Sequence, residues 1–313
     1  MATNKIAVGL LLAATGSIAF SAKAIIVKLA YRHGVDAVTL IMLRMAFALP
    51  LFIGMAWWAG RGKAALTRQD WLSVLGLGFC GYYLSSYLDF AGLQYISASL
   101  ERLILYLNPT LVLVFGALVW GKKISRNQVI AAVLSYAGVL LVFGHEISLA
   151  STMNTDTAIG AALVFGSALC YAVYLSYSGQ VVKRLGSLRL AGLATSVACV
   201  CCIVQFLLLR PVSVAFAVAP EVVWLSILNA TLCTAVPVLL VMMAIEKIGA
   251  GLTAQTGMIG PLSTIFMGVV ILGEPLNAWI IGGTALVLCG VYFLSRTPPT
   301  PSSPSATSTV APP

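Results

Sequence analysis

Charge is scarce in this chain. Of 313 residues only 9% are Asp, Glu, Lys or Arg, nine are acidic and two are histidine. A soluble domain carries roughly 25% charged residues, so a water-facing surface cannot be built from this composition. With 60% hydrophobic residues and a mean hydropathy of +1.01, lipid must solvate most of the chain. No cysteine falls in a loop. Cys80, Cys170, Cys199, Cys201, Cys202, Cys233 and Cys289 all sit inside apolar runs, which excludes a secreted-type disulfide framework. Cys199, Cys201 and Cys202 have no His or acid near them in sequence and read as small packing residues, not metal ligands. No Walker loop is present, so ATP drive in cis is not expected. No His-Glu-x-x-His, paired-aspartate or serine-with-base constellation marks a membrane enzyme. No cofactor and no metal is therefore expected. The net charge of +9 does not point to nucleic acid, because the basic residues lie mainly in short loops.

What is present is a succession of apolar runs of membrane-spanning length. They predict ten transmembrane helices, at 6–31, 35–59, 71–92, 96–120, 126–144, 158–179, 188–209, 220–245, 249–272 and 276–295. Lys5 before the first run resembles a signal peptide. The run continues to Ala30, long enough to span, and is kept as helix 1. After Arg296 the chain turns Pro/Ser/Thr-rich, and 297–313 reads as a disordered tail. Lys and Arg counted by loop give twelve on one side, three on the other and three within spans. That bias predicts cytoplasmic termini in a multi-pass inner-membrane protein. Both histidines, His33 and His145, fall at helix ends and read as interfacial.

A shift of 152 residues aligns helices 4–5 with helices 9–10 without a gap. Pro109 meets Pro261, Gly116 meets Gly268, Gly121 meets Gly273, and Gly138-Val139 meets Gly290-Val291. The chain thus reads as a first five-helix repeat over 1–145, a connecting loop at 146–157 and a second repeat over 158–296. An odd number of spans per repeat inverts the second relative to the first, the arrangement suited to rocking about a midplane site.

The residues within these repeats resemble a known family. Ser97-Ala98-Ser99-Leu100, Asn108-Pro109, Trp120-Gly121-Lys122-Lys123-Ile124, Gln128 and Gly138-Val139 are similar to an EamA domain. A second copy carries Gly249-Ala250-Gly251-Leu252, Gly260-Pro261, Leu272-Gly273-Glu274-Pro275-Leu276 and Gly290-Val291. Lys122 stands where the second copy has Glu274, a departure from the pattern. Two such domains resemble the drug/metabolite transporter superfamily. The resemblance implies an all-α membrane fold with a central cavity lined by helices 1, 3, 4, 6, 8 and 9. It also implies a secondary transporter exporting amino acids or similar small metabolites. A channel and a membrane enzyme without a recognisable motif stand as the alternatives.

Ionisable residues within spans are costly and mark function or fixed pairing. There are five: Lys23, Arg44, Asp89, Glu101 and Arg102, all in the first repeat. The second repeat has Thr253 and Ala254 at the places of Glu101 and Arg102. Three cations against two carboxylates suit an anionic group of a substrate. Lys23 is the candidate to bind it, Arg44 the candidate partner of Asp89, and Arg102 reads as reaching the outer headgroups. Glu101 and Asp89 are alternative carriers of a coupling proton, so the expected partners are lipid, a small-molecule substrate and protons. Glu101 and Asn108 share a helix-4 face next to Pro109. Helix 6 carries Ser167, Tyr171, Tyr174 and Ser178 on one face, and helix 3 carries Tyr82, Ser85, Ser86 and Asp89 on another. Tyrosines give apolar walls with hydrogen-bonding tips, suited to an amphipathic solute. Gln255, Asn229 and Thr253 are the polar candidates from the second half.

Overall fold

A computed structural model describes residues 2–121, 124–149, 155–257 and 259–295. The described residues are 87% helix, with no strand among them. In chain order α1 is Ala2–Tyr31 and α2 is Ala37–Gly60. α3 runs without a break through Arg68–Leu77, Gly78–Leu84 and Ser85–Gly92, and α4 has two pieces, Ala98–Leu105 and Asn108–Trp120. α5 is Arg126–Leu149, α6 is Thr155–Leu185 and α7 is Ser187–Leu209. α8 passes through Pro220–Ala230, Thr231–Ala235 and Val236–Gly257. α9 joins Ile259–Met267 to Gly268–Leu272, and α10 is Ala278–Ser295.

Seven helical stretches are long and apolar enough to cross a membrane, and Ile259–Leu272 and Ala278–Phe293 are shorter apolar helices. The tail at 297–313 and Lys122 lie outside the described residues. The expected loop at 146–157 is shorter than predicted, since α5 extends to Leu149 and α6 begins at Thr155.

One boundary differs from expectation. The sequence places a break near 245–249, but helical backbone continues to Gly257. No proline interrupts this stretch, and its glycines weaken helical pairing without preventing it. Packing against α1 shows the path. A methyl added at Gly16 would meet Leu240 and Val241, and one at Gly9 would meet Ile248. Beyond that, Gly257 lies against Ser17 and Gly260 against Ser21. Partners run down α1 to Gly9 and then lie back beside Ser17 and Ser21. The helical turns between Ile248 and Gly257 therefore bend sharply and do not form one straight rod with Val236–Ile248.

The shift of 152 recurs in the backbone. Of the glycines with positive φ, Gly34 (75°) maps onto Gly186 (84°), and Gly121 (61°) onto Gly273 (74°). The latter two end α4 and α9 in the left-handed cap that glycine alone enters without strain. The widened turns at Gly78–Leu84 and Thr231–Ala235 also overlap under this shift. At the α5–α10 contact a methyl on Gly138 would lie 2.5 Å from the Gly283 carbonyl and 2.9 Å from Val287. A methyl on Gly290 would lie 2.6 Å from the Ala131 carbonyl and 2.2 Å from Ser135. The shift carries Ala131 onto Gly283, Ser135 onto Val287 and Gly138 onto Gly290, so the contact set exchanges with itself. Backbones this close depend on small residues, the usual packing device of membrane helices.

Loops gather at two ends. At one, Lys63 donates to the Leu185 carbonyl, Arg189 to the Ala64 carbonyl, and Arg184 pairs with Asp70. At the other, Arg210 lies 3.6 Å from Asp36, and Arg32 donates to the Leu272 carbonyl at 2.7 Å.

Candidate substrate cavity and buried charge cluster

A cavity of about 400 Å³ lies between α1, α3, α4, α6, α7, α8 and α9. Its wall includes Ser17, Phe20 and Ser21 of α1, Tyr82 of α3, Arg102 and Tyr106 of α4, and Tyr171, Tyr174 and Ser178 of α6. It reaches Val182 and Ser187, next to the Lys63–Leu185 contact, and so extends toward the basic end of the bundle.

The tyrosines expected on α3 and α6 do come together. Tyr82 and Tyr174 share a hydrogen bond at 3.2 Å with rings edge-on at 4.9 Å, and Tyr171 stacks on Tyr174 at 5.6 Å. Gly81 makes this possible, because a methyl there would overlap the Tyr174 Cβ at 2.3 Å. Ser85 and Ser167, from the same two faces, are hydrogen-bonded at 3.0 Å.

The intramembrane charges are buried together. The Lys23 ammonium lies 2.5 Å from Asp89 Oδ2 and 3.6 Å from Glu101 Oε1. Arg102 Nε lies 4.0 Å from Glu101 Oε2. Glu101 is fully buried, yet neither of its oxygens accepts a hydrogen bond among the described contacts. In low dielectric a charge there rests on Coulomb attraction to Lys23 and Arg102, opposed by the neighbouring Asp89 carboxylate.

Three expectations are corrected here. Lys23 is not on the cavity wall; its ammonium is held by two carboxylates. Arg44 does not pair with Asp89: its Nε donates to Thr234 Oγ1 at 3.3 Å, and its guanidinium lies 5.1 Å over the Phe90 ring. The shorter Lys23 geometry takes Asp89 instead. Arg102 does not reach the outer headgroups. It is 4% exposed, donates from Nε to Thr264 Oγ1 at 3.0 Å and from Nη2 to the Ser21 carbonyl at 3.3 Å. It is the single charged residue on the described cavity wall.

Helix 4 explains why Arg102 was missed. Pro109 has no N–H to continue the helical ladder, so the chain tightens at Tyr106 and Leu107, with Leu107 N–H donating to the Ile104 carbonyl. The helix restarts at Asn108, which breaks the face Glu101 and Asn108 were expected to share. Asn108 is absent from the described cavity wall, and its Oδ1 is buried without a partner. The signal was the 102/106 spacing of one turn, beside the 17/20/21 stripe on α1. Asn229 accepts at its carbonyl from Thr234, and the side chain of Gln255 lies outside the described residues.

At the end away from the basic loops, Lys28, Tyr31, Arg32, Leu93, Gln94, Leu272 and Glu274 line a second depression of about 330 Å³. Glu274 crosses from the turn after α9 to the start of α4. It accepts from Ala98 N–H at 2.7 Å, Ser99 N–H at 3.3 Å and Ser99 Oγ at 2.7 Å. These are the orphan donors of a helix N-terminus, where a carboxylate is favoured. Ser97 Oγ, which caps the same helix, also contacts Glu146.

This frame has relatives. The model of the EamA-like transporter family matches residues 7–144 and again 158–296. The chain belongs to that family. With it the chain joins the drug/metabolite transporter superfamily and is a multi-pass membrane protein. The "Uncharacterized transporter YcbK" of Bacillus subtilis (strain 168) is 29% identical over 297 residues, covering 92% of this chain and 93% of the relative. The "Uncharacterized transporter YyaM" of the same organism is 27% identical, covering 74% and 76%. A solved structure superposes with a TM-score of 0.62 at 18% identity, covering 94% of this chain and 99% of that one. In this EamA-like transporter, the Leu272–Leu276 stretch delivers the Glu274 carboxylate to α4 of the other family-model match.

Proposed function

We propose that the chain is a secondary active transporter that exports amino acids or similar small metabolites across a bacterial inner membrane by alternating access. The observation that carries this reading is the arrangement of two openings. The 400 Å³ cavity reaches the basic end of the bundle. The Lys23–Asp89–Glu101 cluster and the Glu274 contact to α4 stand between it and the depression at the other end. An inward-facing carrier has this form, and the excess of Lys and Arg at the open end supports assigning that end, and both termini, to the cytoplasm.

Ten spans in two inverted repeats are supported by the return of partners along α1, the paired glycines and the self-exchanging α5–α10 contact. Near-equivalent halves are what rocking about a central site requires. Glu101 is the carboxylate best placed to exchange a coupling proton, since it is fully buried beside Asp89 and between Lys23 and Arg102.

Purified full-length protein in proteoliposomes tests the reading. Saturable counterflow of a metabolite from an amino-acid and organic-acid panel is expected. Glu101→Gln should abolish pH-driven accumulation while sparing exchange. Flux that neither saturates nor shows counterflow identifies a pore and overturns the proposal.

A further inference from the structure

Arg102 is fixed as a receptor. Thr264 Oγ1 holds Nε, and the Ser21 and Phe20 carbonyls hold Nη2 at 3.3 and 3.5 Å. Nη1 makes no hydrogen bond among the described contacts, although the residue lines the cavity. With Nε and both Nη2 hydrogens engaged, the two Nη1 N–H groups remain as charge-assisted donors to a carboxylate or another anion in the cavity. Its only described carboxylate neighbour, Glu101, is also shared with Lys23 and stays 4.0 Å away.

The rest of the wall sets the body of the ligand. Tyr82, Tyr106, Tyr171, Tyr174 and Phe20 surround an apolar volume. Aromatic walls with hydroxyl tips take a flat apolar group with few polar atoms. The cavity size falls within the range usual for small-molecule sites.

What the wall lacks is equally informative. No described lining residue is a carboxylate. In an α-amino acid the ammonium sits beside the carboxylate, so a group bound at Arg102 would bring a second cation to that guanidinium. The Ser21 and Phe20 carbonyls nearby already accept from Arg102. The nearest carboxylate, Glu101, is off the described wall, on the Nε side of Arg102 and already shared with Lys23. A desolvated ammonium in the cavity therefore lacks an anionic partner and is strongly disfavoured.

We infer that this cavity recognises organic monocarboxylates with an aromatic or apolar body and no α-ammonium group, held at the carboxylate by Arg102. This rests on the transporter reading and, within its small-metabolite class, selects organic acids in place of amino acids. It makes Arg102 the specificity-determining residue, in place of Lys23.

Equilibrium dialysis on the full-length protein in detergent tests the inference with radiolabelled hydrocinnamate, phenylalanine and phenethylamine, which share one body and differ in charge. Hydrocinnamate is expected to bind saturably at least ten-fold more tightly than phenylalanine, with no saturable binding of phenethylamine. Arg102→Gln should weaken hydrocinnamate at least ten-fold. Arg102→Lys, which keeps the charge and loses the fixed planar donor, should lie between. Tight phenylalanine binding, absence of saturable hydrocinnamate binding, or full affinity in either variant overturns the inference. Where Arg102→Gln is not monodisperse, Arg102→Lys alone decides. Binding as expected without flux in proteoliposomes removes the transporter reading and leaves the site. Saturable amino-acid flux indifferent to Arg102→Gln removes the site and leaves the transporter.

Discussion

Glu274 and Ser99 lie 175 residues apart, yet the Glu274 carboxylate accepts from both the Ser99 hydroxyl, at 2.7 Å, and the Ser99 N–H, at 3.3 Å. With Ala98 N–H it joins the turn after α9 to the first turn of α4. Charge-assisted bonds of this kind contribute about 1.5–3 kcal/mol each when they form. Glu274→Ala therefore favours separation of these elements. A cysteine placed at Gln94, in a background lacking the seven native cysteines, should react with a membrane-impermeant maleimide at least five-fold faster in Glu274→Ala. An unchanged rate would show that this contact does not close that end of the bundle.

Lys23 and Asp89 form the tightest described ion pair inside the bundle, at 2.5 Å, and both are nearly excluded from solvent. Removing one partner leaves an uncompensated buried charge, which costs about 3–5 kcal/mol. Asp89→Asn or Lys23→Met should each lower the thermal midpoint in detergent sharply. The double substitution Lys23→Met with Asp89→Leu should cost less than the two singles added. Additive losses would mean that the two charges act through other partners.

The sequence made the helices and the repeat legible because both are written in periodic signals: apolar length, glycine, proline and loop charge. The tyrosine faces of α3 and α6 were legible for the same reason, since spacing within one helix fixes which side chains share a side. Charge partners were less accessible. The sequence alone offers Lys23 a substrate anion, Arg44 the Asp89 carboxylate and Arg102 the lipid headgroups, but pairing between helices depends on rotation about each axis. A break such as that at Tyr106–Leu107 changes that rotation. Glu274 went unnoticed as a contact because its partners are backbone N–H groups of a distant helix end, which carry no residue signature.

Gly81 sets the tyrosine wall. A methyl there falls 2.3 Å from Tyr174 Cβ, inside any permitted contact. Gly81→Ala must push α6 or Tyr174 toward the cavity. Overpacking of this kind costs about 1–3 kcal/mol, and transport should fall more than stability does. Tyr174→Phe, which removes one hydroxyl bonded to Tyr82, should be milder in both. Comparing flux rates and unfolding midpoints for the two variants checks this order.

Asp36, the N-cap just before the observed α2 at Ala37–Gly60, provides a pH-dependent element outside that span. Burial would raise its pKa, but hydrogen bonds from the Thr39 hydroxyl and N–H, the nearby Arg210 and the Val38 N–H together hold it below the usual carboxylate range. Because the folded pKa is the lower one, its stabilisation is full above the unfolded pKa, near 4. It is lost as pH falls through the folded value. Asp36→Ala removes the α2 N-cap and should cost about 1 kcal/mol at neutral pH. The gap between wild type and variant should narrow below about pH 4. Unfolding midpoints measured from pH 7 to pH 3 test this, and a constant gap would assign the effect to something other than the charge.

Gly138 and Gly290 test whether the duplicated contact is energetically as well as geometrically paired. Each faces a backbone carbonyl of the opposite helix at a distance no Cβ tolerates. Backbone cannot yield as a side-chain tip does, so Gly138→Ala and Gly290→Ala must each push α5 and α10 apart, at roughly 1–3 kcal/mol. Gly144 in the same α5 has nothing within 4 Å of its added methyl. Gly144→Ala should therefore be neutral or stabilising by up to about 1 kcal/mol, the helical preference for alanine. The two interface variants should lose similar amounts of stability. The double variant should lose less than their sum, because the first separation already makes room for the second. Equal effects at all three glycines would show that helix propensity governs these positions and not the close approach of the two helices.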